Sequence, residues 1–150
     1  MRQKGFTLIE LLVAMGIVAV LTALAAFNFN QSRIRSRDVQ RKSDLNQLQK
    51  ALELYRNDHN GYPDAANYQT SLSNPVAYIK TTFTDVRASE WEDYRYIPGA
   101  NNKTYYLTAC LENPADSTKA TATQCTAAGV SCACGTGTPP AGVLYIITQP

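Results

Sequence analysis

The sequence has 150 residues and a mass of 16.5 kDa, a length for one domain, which excludes a multidomain machine. One His among 14 basic and 12 acidic residues excludes multi-histidine metal sites and leaves most acid–base constellations unassembled. The net charge of +2 is too small to imply a nucleic-acid or membrane-surface partner by itself.

From Phe6 to Phe29, 24 consecutive positions carry one charge, Glu10, whereas positions 30 to 44 hold two apolar side chains, Ile34 and Val39. A bilayer core of roughly 30 Å needs about 20 helical residues, so positions 8 to 29 suffice to cross one. A buried soluble helix is disfavoured, because a chain this small cannot cover such a stretch. An ordinary secretory signal peptide also fits poorly: the basic region is only Met1-Arg2-Gln3-Lys4, and the apolar run is too long. Gly16 and the stretch Ala23 to Ala26 offer small surfaces for close helix packing. A carboxylate at membrane depth costs about 2.5–3.5 kcal/mol even on lenient insertion scales, so Glu10 calls for a partner.

The run Lys4-Gly5-Phe6-Thr7-Leu8-Ile9-Glu10-Leu11-Leu12 resembles the leader and stalk start of type IV pilins and type II secretion pseudopilins. It combines a short basic leader, a Gly before Phe, a Glu four positions after that Phe, and a continuous apolar helix. The resemblance implies that a prepilin peptidase removes residues 1–5 by cutting between Gly5 and Phe6 on the cytoplasmic side, and that Phe6 is then N-methylated. It further implies that Glu10 pairs with the Phe6 ammonium of a neighbouring subunit and sets the stagger of a helical filament. The plainer alternative has Glu10 snorkelling to the interface. Without Arg2 and Lys4, 12 basic side chains face 12 acidic ones.

The basic residues Arg33, Arg35, Arg37, Arg41 and Lys42 follow the apolar run, and a positive-inside count alone would put the body in the cytoplasm. Cytoplasmic processing of the leader and four cysteines suited to an oxidising compartment argue for a body outside it. The same basic run lacks interleaved aromatics, so a nucleic-acid partner is unsupported and inter-subunit pairing or a solvated face is expected. The helical pattern continues as Leu45, Leu48, Leu52 and Tyr55, one stripe, with Lys50, Glu53 and Asn57 read as solvated. It is predicted to end near Asp58-His59-Asn60-Gly61, with Gly61 as the left-handed cap and Pro63 preventing continuation. His59 beside Asp58 is no catalytic pair, because adjacent helical residues do not face each other.

Tyr94 to Ile97 and Thr104 to Cys110 are β-branched and aromatic runs separated by the turn-rich Pro98 to Lys103, which predicts an antiparallel hairpin. Val143 to Ile147 is a last strand, and Ala77 to Phe83 is a doubtful element in the connecting loop. Ala115 to Gly142 is a long excursion without aromatics that needs tying down. Cys110, Cys125, Cys132 and Cys134 allow three pairings. A Cys132–Cys134 bond would be strained, which favours the nested pairs Cys110–Cys134 and Cys125–Cys132. A zinc site is the runner-up, lacking the usual C-x2-C spacing.

The expected fold is therefore α+β: a long N-terminal helix, membrane stalk and then body spine, packed on a small antiparallel sheet with a disulfide-tied C-terminal loop. Residues 6–30 form the transmembrane and assembly helix, and 31–150 the body, with its spine helix to about 60 and its sheet over 94–150. No cofactor or resident metal is expected. The resemblance implies a single-pass precursor in the inner (cytoplasmic) membrane that polymerises with itself, through a pilus assembly platform, into an extracellular filament. Ala51 to Pro63 also resembles the major pseudopilins, whose C-terminal loops carry an Asp-rich calcium site that this loop lacks beyond Glu112 and Asp116. That departure tilts the reading toward pilin. The missing mid-stalk Pro is a second departure from the family. A monomeric membrane-anchored binding module is the alternative from another class. An enzyme is disfavoured, because no nucleophile, base and orienting group share an interpretable spacing.

Overall fold

The computed structural model describes residues 5–136 and 140–149, and of 26–28 the backbone alone. Leader residues 1–4 and positions 137–139 of the C-terminal loop lie outside the described residues, as does residue 150. Helix α1 spans Leu8–His59. The chain divides into two compact units between Ile34 and Arg35. In the first, an 18-residue window of mean hydropathy 2.5 is long and apolar enough to cross a membrane, and none of it is buried.

In the second unit the elements follow in order: α2 (Tyr68–Ser73), β1 (Arg95–Pro98), β2 (Tyr105–Leu111), α3 (Ala122–Ala128), β3 (Ala133–Cys134) and β4 (Gly142–Thr148). The four strands form an antiparallel sheet in the order β1-β2-β4-β3. Tyr96 stands opposite Leu107, Leu107 opposite Ile147, and Cys134 opposite Gly142. Because side chains alternate along a strand, β2 serves two faces. Tyr105, Leu107 and Ala109 pack with Leu45, Leu48 and Leu52 of α1, while Cys110 and Tyr106 join Leu144, Ile146, Cys125 and Ala128 on the other side. The loop that reads as an excursion is thus the cover of the second sheet face.

Two disulfides hold that cover, Cys110–Cys134 and Cys125–Cys132, with Cα–Cα distances of 5.8 and 5.5 Å. The loop also contains an unanticipated helix, α3, started by a capping box in which Thr121 and Gln124 satisfy each other's backbone N–H, and ended by Gly129 at φ 68°. Gly142 has no room for a side chain: a Cβ would stand 2.7 Å from Cys110 Sγ and 2.7 Å from the Trp91 ring. Trp91 donates its indole N–H to the Cys110 carbonyl at 2.8 Å. The bridged loops enclose 24 and 7 residues of separation. Bridges of this size stabilise by about 2–4 kcal/mol. Reduction is therefore expected to raise amide hydrogen exchange across residues 110 to 134 ahead of the Leu45–Leu52 spine. Four reactive thiols in native, chelator-treated protein prepared without reductant would contradict the pairing.

Two local expectations, at Gly61 and Glu53, are corrected, and the doubtful element 77–83 is resolved as loop. The left-handed residue ending α1 is Asn60, at φ 56°, and not Gly61. Asn tolerates that region, and its carbonyl is held by Lys103 Nζ at 2.5 Å. The segment 77–83 forms no strand: Tyr78 and Ile79 both donate to the Leu72 carbonyl, and Ile79 is buried while Phe83 packs on the core. Glu53 is not merely solvated, since it accepts the hydroxyls of Tyr62 at 2.8 Å and Tyr105 at 3.2 Å.

Candidate processing and assembly site

At the start of α1 the Thr7 carbonyl accepts from Leu11 N–H at 3.3 Å, which makes Thr7 the N-cap. Glu10 Oε2 accepts the Thr7 backbone N–H at 2.8 Å and its hydroxyl at 2.7 Å, while Glu10 N–H points back to Thr7 Oγ1 at 3.4 Å. Thr7-Leu8-Ile9-Glu10 is a capping box, and that T-x-x-E spacing was legible in the sequence. One carboxylate oxygen is thus engaged within the chain. Oε1 accepts nothing among the described residues. Phe6 is 90% exposed, and a Cβ placed on Gly5 would meet nothing within 4 Å. The chain's own packing therefore does not require glycine at position 5.

The four cysteines lie in the other unit with the basic run's second half. Arg41 is 0% exposed and clasps Asp85 with two guanidinium nitrogens, Nε to Oδ2 at 2.5 Å and Nη2 to Oδ1 at 3.0 Å. It also reaches Asp38 at 2.9 Å and Glu112 at 2.9 Å. Arg37 and Arg87 complete the cluster on Glu112, and Lys42 pairs with Asp116 at 2.7 Å. Asp38 further accepts the backbone N–H groups of Glu112 and Asn113, both at 2.9 Å. The expectation of inter-subunit pairing or a solvated face is corrected for three of these residues: Arg41 is buried, and the half-buried Arg37 and Lys42 are paired within their own chain. They tie the spine helix to the 85–91 turns and to the end of β2. Apart from Asp38, three positions from Arg41, the partners stand 44 to 75 positions away, beyond the reach of local spacing.

Burial alone would raise the Glu112 carboxyl, but hydrogen bonds from Arg37 and Arg41 outweigh it and hold the group at about 2. Asp116 is likewise held at about 2, with Lys42 and Thr118 overcoming its burial. His59 lies flat on the Tyr55 ring at 4.0 Å, and Asp58 instead accepts the Tyr78 hydroxyl at 2.6 Å.

Residues 1–26 match the family model of the prokaryotic N-terminal methylation motif. Over 106 residues the chain is 35% identical to the type IV wide pilus major component PilA4 of Thermus thermophilus, covering 71% of this chain and 80% of that protein. It is 36% identical over 66 residues to the type IV major pilin protein PilA of Myxococcus xanthus, covering 44% of this chain and 30% of that one. It is 37% identical over 62 residues to the type II secretion system core protein G of Pectobacterium carotovorum, covering 41% and 40% of the two chains. No solved structure matches the chain significantly.

Proposed function

The chain belongs to the type IV pilin family, and from that premise we propose that it is a structural subunit of a type IV pilus-like surface filament. The reading is structural and not enzymatic. The chain enters the inner (cytoplasmic) membrane as a single-pass precursor with its body outside the cytoplasm. A prepilin peptidase removes residues 1–5, Phe6 is N-methylated, and an assembly platform polymerises the subunits through their apolar helices.

The observation that carries this reading is the start of α1: an exposed Gly5-Phe6 junction, Phe6 being 90% exposed, beside a Glu10 carboxylate one oxygen of which accepts nothing among the described residues. The new Phe6 α-amino group, with a reference pKa of about 7.7–8, is a cation at neutral pH and suits that oxygen. Gly5, which local packing does not need, fits close approach by a peptidase to the scissile backbone.

A pseudopilin of a type II secretion-like system is the second reading, favoured by the likeness to core protein G. Against it, Glu112 and Asp116 are both engaged by basic side chains of α1, which leaves neither free for a cation. Surface filaments sheared from cells and identified by mass spectrometry are expected to contain this chain as their main subunit. Filaments that appear only on overproduction, with a secretion defect on deletion, would favour the pseudopilin.

A further inference from the structure

Five basic residues follow the apolar run, and three of them, Arg37, Arg41 and Lys42, are committed to carboxylates of the body. Arg33 is not: among the described residues it faces no carboxylate within 4 Å. Its guanidinium lies 4.9 Å above the Phe29 ring, at the last apolar position of the run. On the same face of α1, Thr22, Ala25, Phe29, Asn30 and Arg33 line a shallow groove. The Thr22 hydroxyl is spent on the Val18 carbonyl at 2.8 Å, so it is not a free donor to the groove. The upper end of the groove is different in kind. Asn30 and Arg33, three apart and hence neighbours on the helix surface, present amide and guanidinium donors.

We propose that this groove binds one phospholipid of the surrounding membrane, with its phosphate on Arg33 and Asn30 and an acyl chain along Phe29, Ala25 and Thr22. The groove is continuous with the membrane-spanning window, so its apolar floor is at acyl depth. The guanidinium fork matches phosphate geometry, and stacking on Phe29 fixes its direction along the helix. Charge complementarity favours an anionic headgroup over a zwitterionic one, because among the described residues no carboxylate neutralises Arg33.

The inference rests on the membrane-inserted precursor, and its test keeps the two apart. The full chain is reconstituted into vesicles of phosphatidylcholine and phosphatidylglycerol in equal amounts. Insertion is scored by co-flotation, and the lipids retained after gentle extraction are counted by native mass spectrometry. Phosphatidylglycerol is expected to be retained over phosphatidylcholine by roughly fivefold, the factor of one interfacial arginine. Arg33→Gln should bring the two lipids to parity. Arg35→Gln removes an equal charge about 200° around the helix and should leave the preference intact. Parity in the native chain would overturn the site while leaving the membrane reading standing. Equal losses in both variants would also overturn it, reducing the effect to surface charge. Loss of filament incorporation by Arg33→Gln with no lipid preference in the native chain would assign Arg33 to a neighbouring subunit instead. A chain that fails to co-float would overturn the membrane reading and this site together.

Discussion

Glu10→Ala is expected to leave the chain inserted in the membrane and cleaved after Gly5, yet to reduce its incorporation into filaments sharply. Removing the carboxylate makes the span more apolar, so insertion cannot suffer on hydropathy grounds, where a buried acid costs about 2.5–3.5 kcal/mol. What disappears is the acceptor for the Phe6 ammonium of a neighbour. Loss of one partner from a buried charge pair costs about 3–5 kcal/mol, enough to read as shorter or absent filaments. The capping box adds a confound, since alanine also abandons the Thr7 N–H and hydroxyl that Glu10 Oε2 holds. Glu10→Gln separates the two effects: its amide oxygen can still accept from Thr7, but it carries no charge. Poor assembly of the Gln variant would isolate the charge as the cause. Co-expression with the native chain should rescue incorporation in part, because each contact needs one Glu10 and one neighbouring Phe6. Normal filaments built from Glu10→Ala subunits alone would leave the carboxylate as a residue snorkelling near the interface.

The largest effect on the body is expected from Arg41→Met, which strips a fully buried cation from Asp85, Asp38 and Glu112. The loss should amount to about 3–5 kcal/mol in denaturant unfolding of the detergent-solubilised chain, because carboxylates remain buried with fewer counter-charges. Hydrogen bonds from Arg87 N–H to Asp85, and from Glu112 and Asn113 N–H to Asp38, keep the cost from rising further. Arg41→Lys supplies the charge without the fork that engages Asp85 twice, and should fall between the two. Acid gives the same cluster a second signature. The folded Glu112 carboxyl, held at about 2, lies below its ordinary value of 4.5. Its contribution is therefore complete above pH 4.5 and is lost as pH falls toward 2. Native stability should decline through that window, and the gap between native and Arg41→Met should narrow, since protonation relieves the orphaned carboxylates. A gap that stays constant from neutral pH to pH 3 would place the defect in packing.

What could be read directly from the sequence is the part written in local or periodic terms. The apolar run, the Leu45-Leu48-Leu52 stripe and the hairpin around Pro98 to Lys103 each follow from spacing within a few residues, and each appears in the fold. The capping box of Thr7 and Glu10 is equally local, a T-x-x-E spacing whose carboxylate serves the helix start as well as any neighbour or interface. The ion cluster was of another kind. Nothing near Arg41 marks it as buried, and its partner Asp85 stands 44 positions away at the start of a turn closed by Ala88 N–H on the Asp85 carbonyl. The body's second face was hidden for a similar reason. A Thr- and Ala-rich loop shows no periodicity of its own, and it becomes a cover because Leu144, Ile146 and Tyr106 of the sheet supply the apolar surface. Asn60 in place of Gly61 as the left-handed residue shows the one-position limit of turn assignment when two tolerant residues adjoin.

Intact mass of the chain extracted from membranes and from sheared filaments tests the central claim most directly. A processed pilin subunit predicts one species in both fractions, lacking residues 1–5 and carrying one extra methyl on Phe6. A chain in the filament fraction that retains Met1, or the complete absence of the chain from filaments while Met1 persists in the membrane, would contradict it.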